Sequence, residues 1–211
     1  MHDVSAFVLS GGRSTRMGSD KALLTIRGKT LLARALGLGH RITHRVAIVG
    51  PRDRYAGMKE RVVEDEFQNC GPLAGIHAAL QATETDLNAI LAVDMPFVPP
   101  DFFAYLIERA GSSPGVLVVV PRVAGIVQGT CLVCRRAFRT TCEQRLRLGC
   151  YKLEDAIQSV RSEYIEEEEI RIRGFDPAIF RSLNTPDDLT GDQDCGLQSM
   201  VSRDSDQTAS C

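Results

Sequence analysis

The sequence predicts an α/β fold in which a mostly parallel sheet is covered by helices on both faces. Three observations predict it. Short, nearly all-apolar runs alternate with segments of helical character along residues 4–120. Those runs lack the apolar–polar alternation of a sheet with one wet face, as strands buried on both sides should. Turn-forming residues fall where the runs end, above all in VLSGGRSTRMGSDKALL at residues 8–24. Alternation of this kind is the mark of strands joined through helices that pack back on the sheet.

Val4–Ser10 is the first strand. Thr30 suits the N-cap of a helix over Leu31–Leu38, because its hydroxyl can accept from an unpaired first-turn amide. RVAIV at 45–49 is a second strand, and Val62–Glu64 is a short third. A helix follows over Gly75–Ala82, then a wholly apolar strand at Ala89–Val93. Pro100 and Asp101 open a helix to Ala110, proline costing nothing where the amide has no partner. Val116–Val120 is another buried strand. Beyond it the pattern loosens, with a strand over Ile126–Cys134 and helices over Phe138–Leu148 and Leu153–Val160. The acidic run Glu166–Glu169 reads as a solvated strand edge or loop. From about residue 190 large apolar side chains nearly vanish, so we expect one domain over residues 1–189 and a disordered tail over 190–211.

The chain has 211 residues, 44% apolar and 25% charged, the profile of a single soluble domain. A net charge of −2 gives no electrostatic footprint for nucleic acid. No apolar run approaches the ~18 residues that cross a bilayer, and MHDVSAFVLSGG lacks a secretory signal's pattern, so a cytoplasmic location is expected. Seven cysteines are scattered without a disulfide framework. Cys131 and Cys134 spell C-x-x-C, but inside a strand residues three apart point to opposite faces, which argues against a shared metal or redox role.

The chemistry is expected at the carboxyl ends of the strands, where open α/β sheets bind ligands. Three features fall there. Gly11 and Gly12 follow the first strand, where exposed backbone N–H groups can cup an anion, and Arg16 and Lys21 add a forked donor and a point charge. This is neither GxxxxGK[ST] nor GxGxxG, and glycine at such a turn can also serve packing alone. Asp65 ends VVED, six residues before Gly71. Asp94 directly follows LAV and precedes Met-Pro, a place suited to a Mg²⁺ ligand beside phosphates or to a turn cap. The histidines, at 2, 40, 44 and 77, form no recognisable Ser/His/Asp or Cys/His constellation.

LSGGRSTRMGSDKALL resembles the L-x-G-G-x-S-x-R-M-G-x-D-K signature of molybdenum cofactor guanylyltransferases, within the wider nucleotidyltransferase superfamily. VVEDEFQNCGPLAGIHAAL, LAVDMPFVPPDF and SLNTPDDL agree with it in order, so the resemblance spans residues 4–189. It implies a Rossmann-like three-layer α/β sandwich that transfers GMP from GTP to Mo-molybdopterin with release of pyrophosphate. By matching position it implies that the backbones of Leu9, Ser10, Gly11 and Gly12 hold the nucleotide. Arg16 and Lys21 would contact the triphosphate, Asp65 the guanosine, and Asp94 Mg²⁺. Gly71, Pro72, Leu73 and Gly75 would wall the pocket near the base. Asn184 would reach toward metal and product phosphates, or cap the turn before Thr185-Pro186. Transient contact with cofactor insertion proteins and molybdoenzyme apoproteins is implied as well.

Two segments depart from the family pattern. Val49-Gly50-Pro51 stands where many relatives have an asparagine after the second strand. Gly129 replaces a proline beside Gln128, a residue expected to face the pterin. A cytidylyltransferase is the nearest alternative, and Gly11-Gly12 with GPLAG favours guanine over it. A non-catalytic cofactor-binding adaptor is the other, and it has no need of Arg16, Lys21 and Asp94 together.

Overall fold

The computed structural model describes residues 2–11 and 21–183. The tail expected from residue 190 lies outside them. The described chain is built on one twisted sheet. Its strands are β1 (Val4–Leu9), the small hairpin β2 (Thr25–Ile26) and β3 (Lys29–Thr30) off the sheet, then β4 (Val46–Val49), β5 (Arg61–Val63), β6 (Leu87–Ala92), β7 (Val118–Val123), β8 (Ile126–Val127), β9 (Cys131–Arg135) and β10 (Ser162–Glu166). The main sheet has the order β10-β7-β9-β6-β1-β4-β5, and β8 pairs with β7. β5, β4, β1 and β6 run parallel, as do β7 and β10, while β9 is antiparallel to both β6 and β7.

Helices cover both faces. α1 (Leu31–Ile42) and α3 (Pro100–Ser112) lie on one, and α2 (Pro72–Ala82), α4 (Phe138–Arg147) and α5 (Leu153–Gln158) on the other; α6 is Glu167–Ile172. The two-residue period of a strand feeds both cores. Val4, Ala6 and Val8 of β1 join Leu32, Leu36, Phe102 and Leu106 on the first face. Phe7 and Leu9 join Leu73, Ile76, Phe138 and Ile157 on the second. Each fully buried side chain of this kind contributes about 1.5–3 kcal/mol of hydrophobic stabilisation. The three-layer α/β arrangement expected from the sequence is therefore the observed one.

Local signals set the helix ends. Thr30 Oγ1 accepts from the Ala33 amide at 3.1 Å, and α1 runs four residues further than its apolar pattern suggests, to Ile42. α2 starts at Pro72 rather than Gly75, because Pro72 takes the first helical position. Gly71 before it has φ +70°, a conformation strained for any other residue. Three segments differ from the sequence reading. Ile126–Cys134 is not one strand but β8 and β9 with a turn between. The hairpin β2–β3 turns through Arg27 and Gly28, both with positive φ. The acidic run Glu166–Glu169 is not a bare solvated edge. It leads β10 into α6, where Glu166 pairs with Arg122, Glu167 with Arg171, and Glu169 with Tyr105 and Arg109. Carboxylates in a first helical turn also suit the helix dipole.

Cys131 and Cys134 point to opposite cores, as their spacing in a strand requires. Burial pushes both thiols well above the usual range, and that of Cys142 up to about 12. They behave as small apolar side chains. Among the described residues no helix is long and apolar enough to cross a membrane.

Candidate active site

Leu9, Val49, Val63 and Ala92 are register partners across β1, β4, β5 and β6, so four parallel strands end side by side. From β1 the chain builds β4 and β5 to one side and β6 to the other. The crevice at such a switch point is where open α/β sheets take their ligands. Here it is a cleft of about 370 Å³. Leu9, Ser10, Gly11, Lys21, Asp65, Gly71 and Asp94 all line it. Gly12, Arg16 and Asn184 lie outside the described residues.

Each side chain is held by its element. Asp94 follows β6, whose end is tied to β1 by a Val93 N–H···O=C Leu9 bond of 3.2 Å. Its carbonyl accepts from the amide of core residue Leu183 at 2.9 Å. Lys21 opens a short 3-10 turn, Lys21–Leu23, and its Nζ lies 2.8 Å from Asp94 Oδ2. The two side chains are 19% and 26% exposed, enough for a ligand to reach both. Asp65 lies just beyond β5, half-buried, and its carboxyl is held above the usual range by burial and then by the neighbouring Glu64 charge.

Some expected contacts fall differently. Leu73 does not line the cleft: it is fully buried in the core beneath it, because the second residue of α2 faces the sheet. Pro72 and Gly75 supply the wall instead. The Ser10 amide is not open to a nucleotide, since it donates to Val49 O at 2.9 Å. Gly11 needs no left-handed backbone, and among the described residues a Cβ there would come nearest to Gly50 Cα, at 3.8 Å. Gln128 is half-buried with its side-chain amide donating to Ile126 O, and it does not line the cleft. Thr130 and Val49 do line it and had not been anticipated. Thr130 arrives because β9 runs antiparallel, which brings that strand's amino end to this edge, and strand direction leaves no local mark in sequence.

The family model for the MobA-like NTP transferase domain matches residues 6–164, a span that holds the glycine turn, Lys21, Asp65, Gly71 and Asp94. The chain belongs to this family. Among curated relatives, it is 34% identical over 190 residues to a probable molybdenum cofactor guanylyltransferase of Pelotomaculum thermopropionicum, covering 90% of this chain and 91% of that one. A similarly named protein of Pyrococcus horikoshii is 31% identical over 190 residues, covering 87% and 96%. Among solved structures, molybdopterin-guanine dinucleotide biosynthesis protein A from Archaeoglobus fulgidus superposes with a TM-score of 0.76 at 24% identity, over 89% of this chain and 95% of that one. At that identity it speaks for the fold. The MobA-like family are nucleotidyltransferases, enzymes that generally work with a divalent metal, and the cleft has the charges such chemistry needs.

Proposed function

We propose that this enzyme transfers GMP from GTP to the terminal phosphate of Mo-molybdopterin, giving the guanine dinucleotide cofactor and pyrophosphate. The observation that carries the reading is the Lys21–Asp94 pair, set in one cleft with Asp65 at the nucleotide edge of the sheet. The whole-length similarity to relatives named guanylyltransferases supports the choice of substrates.

A phosphate oxygen of the pterin attacks the α-phosphorus of GTP. The new P–O bond forms as the bond to the bridging oxygen of the β-phosphate breaks, and pyrophosphate leaves with that electron pair. A phosphate nucleophile is already ionised near neutral pH, so no side-chain base is required. The protein's share is alignment and charge stabilisation. Lys21 sits where it can follow the charge moving onto pyrophosphate, with Arg16 as its proposed companion. Asp65 would accept a hydrogen bond from the guanosine, with the glycine turn and the Gly71–Gly75 wall beside it.

Asp94 fits Mg²⁺, a hard ion usually held by one or two carboxylates together with substrate phosphates and water. Among the described residues no group of three or more His, Cys, Asp or Glu could hold a metal by itself. A donor set that sparse suits an ion completed by the triphosphate, with Asn184 proposed to assist. When bound, the ion would offset charge on the triphosphate and on the departing pyrophosphate. The product would then pass to insertion proteins or molybdoenzyme apoproteins.

Thermal shifts with GTP, CTP, ATP and UTP, each with Mg²⁺, test the nucleotide, since a ligand of the native state raises stability with its affinity. GTP should give the largest shift. A selective shift with CTP would overturn the guanine assignment. Absence of pyrophosphate release with GTP, Mg²⁺ and Mo-molybdopterin present would favour the binding adaptor instead.

A further inference from the structure

Ser10, between the end of β1 and the glycine turn, has all its polar atoms engaged. Its amide donates to Val49 O. Its side chain and its carbonyl both meet one group, the hydroxyl of Tyr55, in the segment after β4. Ser10 Oγ and Tyr55 Oη are 2.5 Å apart, and Tyr55 Oη lies 3.1 Å from Ser10 O. The phenol has a single proton. If it is donated to the carbonyl, the short contact must be Ser10 donating to the phenol, and the two bonds close a circuit. Tyr55 is 3% exposed, so the circuit is screened from water.

Gly50 makes room for it. A Cβ there would stand 3.0 Å from Tyr55 Cε2 and 3.3 Å from Ser10 O. A glycine at this position thus has a steric reason: the tyrosine ring occupies the space a side chain would take.

We propose that Tyr55 is a positioning residue that aims the Gly11 amide at the nucleotide. The peptide joining Ser10 to Gly11 is planar and trans, so the Ser10 carbonyl and the Gly11 N–H point in opposite directions. Holding the carbonyl against Tyr55 turns the Gly11 N–H away from Tyr55, and Gly11 lines the cleft. Tyr55 itself touches no substrate in this role. It fixes the first donor of the turn before the ligand arrives, which reduces the ordering cost of binding.

The inference rests on the guanylyltransferase reading only for its probe, GTP with Mg²⁺. Calorimetry on the wild-type chain comes first. If it binds CTP and not GTP, the guanine assignment falls and the comparison is made with CTP. Tyr55→Phe keeps the ring and removes the hydroxyl. It should raise Kd and KM for the nucleotide about threefold to tenfold, the worth of one neutral hydrogen bond, with kcat within about twofold of wild type. A merely structural role would lower Tm and the active fraction together and leave Kd of the folded protein unchanged, and that result overturns the proposal. Gly50→Ala provides the second variant by pressing on the same ring and carbonyl, and it should raise Kd in the same sense. Wild-type Kd in Gly50→Ala or in a folded Tyr55→Phe also overturns it.

Discussion

The ammonium of Lys21 lies 2.8 Å from Oδ2 of Asp94, so a cation and a carboxylate of the cleft, 73 residues apart in sequence, are direct partners. In the absence of a triphosphate each neutralises the other. In the proposed reaction, a nucleotide arriving with a metal would offer Asp94 a cation and Lys21 an anion, and both ends of the pair would gain replacements. The ion pair makes the position of each side chain depend on the other.

Lys21→Ala should therefore lower kcat far more than it raises KM for GTP. Loss of one preorganised charge that acts on the transition state costs on the order of 10²–10³ in rate. Steady-state pyrophosphate release over a range of GTP concentrations separates the two constants. An unchanged kcat would remove Lys21 from the chemistry and leave it a tether for Asp94.

Asp65 should link nucleotide affinity to pH. Burial, and after it the Glu64 charge, holds its carboxyl above the usual carboxylate range. A carboxylate that accepts from the guanosine must be ionised, so KM for GTP should rise as pH falls through that raised pKa. For stability the sign is opposite: a carboxyl raised on folding adds stability below its unfolded pKa, and this is lost as pH rises through the folded value. Asp65→Asn should thus melt higher than wild type at neutral pH while binding GTP more weakly, with no pH dependence of KM in that window. Lower stability of Asp65→Asn at neutral pH would contradict it.

How much of this was legible in the sequence follows from where each signal resides. β1, β4, β6 and β7 were readable because burial on both faces leaves uninterrupted apolar runs. The hairpin at Thr25–Thr30 carries only a brief signal, a glycine in a two-residue turn between Ile26 and Lys29. The antiparallel direction of β9 left none, and Thr130 was missed with it. Gly11, Asp65 and Asp94 could be placed together because each follows closely on a strand at one sheet edge, Lys21 came with the glycine turn, and Gly71 joined them through the family resemblance. GPLAG reads as one wall in sequence, whereas a helix turns consecutive residues to different sides, and Leu73 enters the core. Tyr55 could not be paired with Ser10 from sequence, since a contact across 45 residues depends on β4 lying beside β1.

Thiol reactivity provides a check on the cores. Cys150 is exposed and Cys70 half-buried, whereas Cys131, Cys134 and Cys142 are buried. Among the five cysteines of the described residues, alkylation of the native protein mapped by peptide mass spectrometry should label Cys150 first and Cys70 more slowly. The other three should react only on unfolding, since reaction needs an accessible thiolate. Native labelling of Cys131 or Cys134, or zinc retained by that pair, would contradict the assignment of each to its own core.

His77 should make stability fall on mild acidification. It sits on α2, 2% exposed, with its ring edge-on to Phe67 and no hydrogen-bond partner for either ring nitrogen. Burial holds its pKa below the usual histidine value; Glu143 and Glu66 oppose that shift, and Arg139 and Arg147 reinforce it. The unfolded chain therefore takes up a proton at a pH where the native protein does not. The contribution is intact above the unfolded value of about 6.5 and is lost progressively as pH falls below it, toward the depressed native pKa. His77→Leu removes both the orphaned nitrogens and the titration. Each unsatisfied buried polar atom costs about 1–3 kcal/mol, so the variant should be the more stable at pH 7, and its margin should widen by pH 5.5. Urea denaturation of both proteins at the two pH values measures that margin. A constant difference between them would mean that His77 is not the group that titrates.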